Sequence, residues 1–357
     1  ATTDTTITNA FGSDLVTRGT GSNMGFSDIS EVFTIYGQAN SSSAEAQRIL
    51  THFPVTDISS DRTSGAIPAS GSVSFYLKLY NAPHGQNLPK DFNLIISAVS
   101  RSWEEGTGLD MENYTDLTYD ETGANWEKAS AGVNWTTDGG DYYVDVSSSF
   151  TASFDDGTED VCVDITPLVE QWVNSAGNVL GSKDNYGVIV KYPGPQEAEA
   201  RSYYTKKFFA RGTEFWFSRP LIEARWDSSN KDDSGNFFLS SSLATAEENL
   251  NTIYLYNNIR GLLRNIPAVA TNNILVSVYS GSSDNSAPAG SKYTLPVGGG
   301  VASNDDVDVT GSYVSPGIYS ASFAYTGSAT TIFAVWHSSS VEYHTASAIT
   351  VNTFDSV

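Results

Sequence analysis

The chain of 357 residues has one cysteine, two methionines and four histidines. A single thiol excludes an intrachain disulfide. That thiol, Cys162, lies between Val161 and Val163 with no histidine near it in sequence. A small strand residue is expected there rather than a nucleophile. Basic residues are scarce too: 19 Lys and Arg face 41 Asp and Glu, a net charge of −22. Such a surface repels phosphate and anionic headgroups, which argues against nucleic acid and acidic membranes as partners. No apolar run reaches membrane-spanning length. The opening ATTDTTITNAFGSD has neither a basic nor an apolar signal region, so folding in a cytoplasm is expected. Phosphate-binding loops, dinucleotide fingerprints, G-x-S-x-G and H-E-x-x-H are missing, which removes the commonest enzyme signatures. Heptads and solenoid periods are missing as well, which argues against a long coiled shaft. His52, His84, His337 and His344 form no recognisable zinc set, and structural or surface roles are expected for them.

What is present points to β-structure. Aromatics make up 12% and charged residues only 17%, with Ser, Thr, Asn and Gly filling the polar fraction. Turn-rich sandwiches have this profile, and the length suits two domains. Val73, Phe75, Leu77 and Leu79 alternate with polar neighbours at a period of two. Residues 94–99 form a shorter apolar run. Residues 104–160 read as long loops with a small hairpin around Tyr142-Tyr143-Val144, and 208–226 as dense strand split by Arg219-Pro220. The polar segment 228–240 is the expected linker. Beyond it, apolar runs at 253–256, 274–279, 318–325 and 332–336 have sandwich spacing, and 241–250 suits a short helix. The expected organisation is a polar arm and first strand at 1–30, a sandwich at 31–227, and an immunoglobulin-like or jelly-roll-like sandwich at 241–357.

The stretch VCVDITPLVEQWVNSAGNVLGSKDNYGVIVK at 161–191 reads as strand, helix, turn, strand. Thr166 suits a cap and Pro167 a first turn. Ile165, Leu168, Val169 and Trp172 share one face, and Asn174, Gly177 and Asn178 stop the helix.

These residues carry a resemblance. Arg48 in Arg-Ile-Leu-Thr-His-Phe, Trp103 in Trp-Glu-Glu-Gly, and Asp164-Ile-Thr166-Pro-Leu168-Val with Trp172 occur in the order of the DNRLRE-type domains. Asn185-Tyr186-Gly187 and Arg219-Pro220-Leu221 continue the match, which covers roughly residues 8–227. Arg211-Gly212 departs from it, where the family prefers an acidic residue. The resemblance implies a jelly-roll β-sandwich related to carbohydrate-binding modules, with the motif residues holding the fold. Residues 206–260 are also similar to virion structural proteins of tailed marine bacteriophages, the cyanophages especially. That likeness implies a non-enzymatic virion protein, located on the particle, oligomeric there and partnered by other virion proteins.

The chemistry the sequence offers is sparse. Glu104 and Glu105 have the residue type of a glycosidase pair, but neighbours on an extended chain point opposite ways, so a structural turn is expected. Asp138, Asp141, Asp155 and Asp156 lie in loops where the implied fold often holds a structural calcium; a solvated acidic loop is the plainer expectation. Trp135, Tyr142 and Tyr143 are the candidates for a sugar-stacking platform, with Trp135 the freest. The expected function is assembly on a virion as capsid decoration, neck or tail component, the arm at 1–30 ordering on a partner by β-augmentation. The alternative is a carbohydrate-binding module or adhesin for host surface polysaccharide.

Overall fold

The computed structural model describes residues 1–109, 120, 122–174, 179–245, 247–297, 305–338 and 340–353. The chain divides at Asp227 into two units. In the first, the strands are β1 (Thr3–Thr8), β2 (Ile29–Tyr36), β3 (Ala44–His52), β4 (Ser74–Leu79), β5 (Phe92–Ala98), β6 (Lys128–Ser130), β7 (Val133–Asn134), β8 (Ser149–Phe154), β9 (Val161–Asp164), β10 (Val188–Lys191), β11 (Tyr203–Phe209) and β12 (Leu221–Arg225). The helices are α1 (Thr56–Ser64), α2 (Thr166–Trp172) and α3 (Gly194–Ala198).

A large sheet in the order β11-β2-β3-β10-β5-β8, with β1 on β3, faces a small sheet β12-β4-β9. The alternation in β4 explains the pairing of layers. Phe75, Leu77 and Leu79 meet Val32, Ile49, Leu94, Ile96, Val188 and Val190 in one core, while Tyr76 and Lys78 stay partly exposed. The chain changes sheet between β3 and β4, β4 and β5, β8 and β9, β9 and β10, and β11 and β12, which is the jelly-roll manner of closing a sandwich. Leu168, Val169 and Trp172 of α2 enter the same core, each contributing about 1.5–3 kcal/mol of burial.

Several local expectations change. Thr166 is the first helical residue rather than the cap, and Ile165 precedes it without a side-chain cap bond. The Asp164 carboxylate accepts from the Thr166 N–H and hydroxyl at 2.9 and 2.6 Å, while Thr166 Oγ1 accepts from the Phe75 N–H at 2.8 Å. Thr166 thus ties α2 to β4. Residues 1–30 are no free arm: Thr3↔His52 through Thr8↔Gln47 pair β1 with β3. Threonine permits this because its hydroxyl finds partners inside, as Thr8 Oγ1 does on the Ala46 carbonyl. The hairpin expected at 142–144 forms instead at 128–134, as β6 and β7. Besides α2, the described residues of this unit form two α-helices without buried residues, α1 and α3. The guanidinium of Arg62 anchors α1 by a fork onto Glu170 of α2, at 2.7 and 2.5 Å.

The large sheet is covered on its second face as well. Ala46 and Leu50 of β3 and Ile189 of β10 point away from the sandwich core. They pack with Ile7, Val99, Ala124, Trp126, Ala129 and Trp135 in a second cluster. Residues 124–135, after β5, therefore form a lid on the sheet, which is why β10 is buried at every position.

The second unit, Ser228–Val357, has β13 (Phe237–Phe238), β14 (Asn251–Tyr256), β15 (Asn258–Ile259), β16 (Leu262–Leu263), β17 (Ile274–Gly281), β18 (Pro288–Ala289), β19 (Leu295–Pro296), β20 (Asp305–Asp306), β21 (Val309–Ser315), β22 (Ile318–Phe323), β23 (Thr331–Ser338), β24 (Val341–Thr345) and β25 (Ile349–Asn352). One sheet, β13-β25-β23-β17-β21-β22-β14, folds over a core of Ile253, Leu255, Val276, Val278, Phe323, Ile332 and Trp336. The bend lies in β21, which pairs with β17 at Val309–Gly311 and with β22 from Ser312 onward. A Cβ on Gly311 would stand 2.9 Å from the Ser320 carbonyl oxygen, so glycine lets the strand turn the corner. The helix expected at 241–250 is a single 3-10 turn, Glu247–Asn249.

Candidate functional site

Arg48 and Lys191 alternate with core residues on β3 and β10, so both point to the covered face of the large sheet. Glu197 of α3 bridges them. Its carboxylate accepts from Arg48 Nε at 3.0 Å and Nη2 at 2.8 Å, and from Lys191 Nζ at 3.1 Å. Burial pushes the Lys191 ammonium below its usual range, against the pull of Glu197. Arg48 Nη1 donates to the Gly139 carbonyl at 2.7 Å, and the guanidinium lies 4.8 Å from the Trp126 ring centre. Gly139 has φ +87°, and a Cβ there would stand 2.6 Å from Arg48 Nη1. Only glycine lets the 136–142 loop close on this arginine.

Over this floor lies a cavity of about 480 Å³, walled by Arg48, Ser100, Arg101, Thr136, Asp138 and Tyr142 among others. Burial pushes the Asp141 carboxyl up, but the Thr136 and Thr137 amides and the Arg101 guanidinium outweigh it and hold the carboxyl below the usual range. The lining is hydroxyl, amide and charge, and it suits a polar ligand.

The aromatic candidates separate. Trp135 is 4% exposed, and its indole N–H donates to the Asn125 carbonyl at 2.8 Å. It is lid core and offers no stacking face. Tyr142 and Tyr143, consecutive on extended chain, serve opposite sides of the large sheet. Tyr142 packs with the lid cluster and Tyr143 with the sandwich core. Only Tyr142 borders the cavity.

The acidic candidates separate as well. Asp141 accepts the Thr136 and Thr137 amides and pairs with Arg101, and its carbonyl receives the Ser100 N–H just after β5. Asp155 receives the Asp91 N–H just before β5, so the two loops lie at opposite ends of that strand. In the loop of Asp155 and Asp156, the Gly157 and Glu159 carbonyls already accept from Lys206 Nζ at 2.8 and 2.9 Å. Asp138, Asp141, Asp155 and Asp156 therefore do not fit a calcium cage. Among the described residues no cluster of three His, Cys, Asp or Glu could hold a metal.

The remaining motif residues hold the architecture. Trp103 Nε1 donates to the Tyr186 carbonyl at 2.8 Å. A Cβ on Gly187, at φ +79°, would stand 2.2 Å from the Thr51 carbonyl oxygen. Leu168 and Trp172 are buried, Arg219 donates twice to the Thr213 carbonyl, and Pro220 immediately precedes edge strand β12. Glu105 is held by Arg211 through Nε and Nη2 at 2.8–3.0 Å.

One surface was illegible as such. Residues 214–218, expected as strand, form a 3-10 turn over Trp216–Ser218 that presents Phe215, Trp216 and Phe217 to solvent. Trp216 is 75% exposed and Phe217 61%. Their ring centres are 6.0 Å apart, and Phe215 links them to Phe209. The signal was Gly212-Thr213 before the aromatics and Arg219-Pro220 after them. Arg219 folds back on Thr213 and converts the run into a loop.

Among the described residues no helix is long and apolar enough to cross a membrane. Comparison with protein-family models, curated proteins and solved structures finds no match.

Proposed function

We propose that this chain is a non-enzymatic structural protein of a tailed-phage virion, a DNRLRE-like sandwich with a second β-unit, acting by assembly on the particle. The observation that carries the reading is the Phe215-Trp216-Phe217 turn. Three large aromatic rings on one turn form a surface that a partner covers, because solvent alone gives no reason to keep them. Glu105, one of the two acidic candidates of the Trp103 turn, is neutralised by Arg211 rather than poised for chemistry, which suits a structural role for that turn. The resemblances to DNRLRE domains and cyanophage virion proteins supply the setting. The test replaces Trp216 and Phe217 with serine and measures incorporation into particles. Loss of incorporation by a folded variant supports the reading, and unchanged incorporation refutes it.

The cavity over Arg48 favours a second reading, recognition of a host surface polysaccharide. Ser100, Thr136, Thr137 and Asp138 offer polar atoms for sugar hydroxyls beside the Tyr142 ring. Glycan-array binding that disappears with Tyr142→Ala supports it, and binding unchanged by that substitution contradicts it.

A further inference from the structure

The second unit carries an apolar, basic hairpin in a chain of net charge −22. Strands β15 and β16 pair Asn258 with Leu263 and Ile259 with Leu262, leaving Arg260-Gly261 as a two-residue turn. Arg260 has φ 55° and Gly261 φ 79°, as such turns require. Asparagine or glycine usually fills the first position, and an arginine there bears backbone strain. Ile259, Leu262 and Leu263 are exposed, and with Pro267 and Pro316 they line a cavity of about 660 Å³.

The charge of this hairpin is exceptional. The basic residues of the unit are Lys231, Arg260, Arg264 and Lys292. Lys292 is bonded to Asp308 and Lys231 also has a partner. The Arg260 and Arg264 side chains make no hydrogen bond or ion pair among the described residues, although acidic groups abound.

The complement lies on the same unit. Just before β14, Leu243 is 97% exposed, and Glu247 and Glu248 follow it on the surface. The hairpin begins just after β14. The two surfaces thus sit at opposite ends of a six-residue strand, about 20 Å apart at the strand rise of ~3.3 Å per residue. They cannot meet within one copy.

We propose that this chain associates head to tail with a second copy of itself, the 258–264 hairpin of one copy docking on Leu243, Glu247 and Glu248 of the next. Arg260 and Arg264 pair with Glu247 and Glu248, and Leu243 enters the groove of Ile259, Leu262 and Leu263. The contact is heterologous, so it propagates into a ring or a filament. It enlists one two-stranded hairpin and one turn, where a stable interface takes ~1,000 Å², and the net charge opposes it. It is therefore weak and concentration-dependent, and it gains effect where copies are already arrayed. It uses a surface distinct from the aromatic turn and stands whether or not the chain belongs to a virion.

Sedimentation velocity of the purified chain over a concentration series tests it. The wild type forms oligomers as concentration rises. R260E/R264E and E247R/E248R, each with an unchanged circular dichroism spectrum, associate at least tenfold more weakly. An equimolar mixture of the two restores association, because each variant supplies the charge the other now needs. A wild type that stays monomeric throughout, or a mixture that stays monomeric, overturns the proposal.

Discussion

The Glu105 carboxylate lies in the fork of Arg211, 106 residues away, and also accepts the backbone N–H of Asp4 at 2.9 Å. Asp4 in turn accepts the Arg211 N–H at 2.5 Å. Two acidic groups and one guanidinium thus tie β1 to the Trp103 turn and to the chain after β11. Glu105→Gln keeps the shape but leaves half of the Arg211 fork unmatched. Loss of charge-assisted bonds costs about 1–2 kcal/mol here, since Arg211 is part-exposed. Chemical denaturation should show that loss, and a variant as stable as wild type contradicts the structural role.

Asp4 gives a pH dependence. Burial, with Glu105 beside it, pushes its carboxyl up to about 6 against an ordinary value of 3.8, although the Arg211 amide pulls the other way. The folded state therefore holds the proton more tightly than the unfolded state. The contribution is favourable at low pH and is lost as pH rises from about 4 to about 6, by roughly 2–3 kcal/mol at most. Asp4→Asn removes this slope and raises the melting temperature at pH 7. A variant with the wild-type slope across that window contradicts the assignment.

Lys206 is fully buried, with its ammonium on the Asn81 side chain and the Gly157 and Glu159 carbonyls. Desolvation pushes it down to about 8, against the pull of Glu159 and Asp160. Lys206→Met strands three acceptors and frees the 155–160 loop. Destabilisation of about 3–5 kcal/mol is expected. Calcium added to the wild type should leave the melting temperature unchanged, because the loop carbonyls are occupied.

Arg260→Asn separates hairpin stability from docking. Asparagine tolerates the left-handed region better, so the variant should gain roughly 0.5 kcal/mol in the second unit. It should also associate more weakly than wild type in sedimentation velocity. A gain in both, or a loss of stability, contradicts the view that Arg260 is kept for its charge.

The legibility of the sequence divides along physical lines. The period of two in 73–79 and the Asp164–Trp172 segment could be read because both signals are local, and the structure buries Phe75, Leu77, Leu168 and Trp172 in one core. The burial of the polar strand β1 could not be read, since its threonines are covered by pairing with β3, a long-range event without local periodicity. Trp135 looked free because its loop is rich in Gly, Asp and Thr, and nothing local showed that the loop lies on a sheet. Phe215, Trp216 and Phe217 looked like buried strand for the converse reason. Apolar content alone does not distinguish a core from a presented surface.

The most direct test of the account is a density map of the intact particle encoded with this chain, combined with copy number by mass spectrometry. The account predicts a fixed, stoichiometric copy number, with Phe215, Trp216 and Phe217 covered by a neighbouring virion protein. Absence of the chain from purified particles, or its presence with that turn facing solvent in every copy, contradicts it.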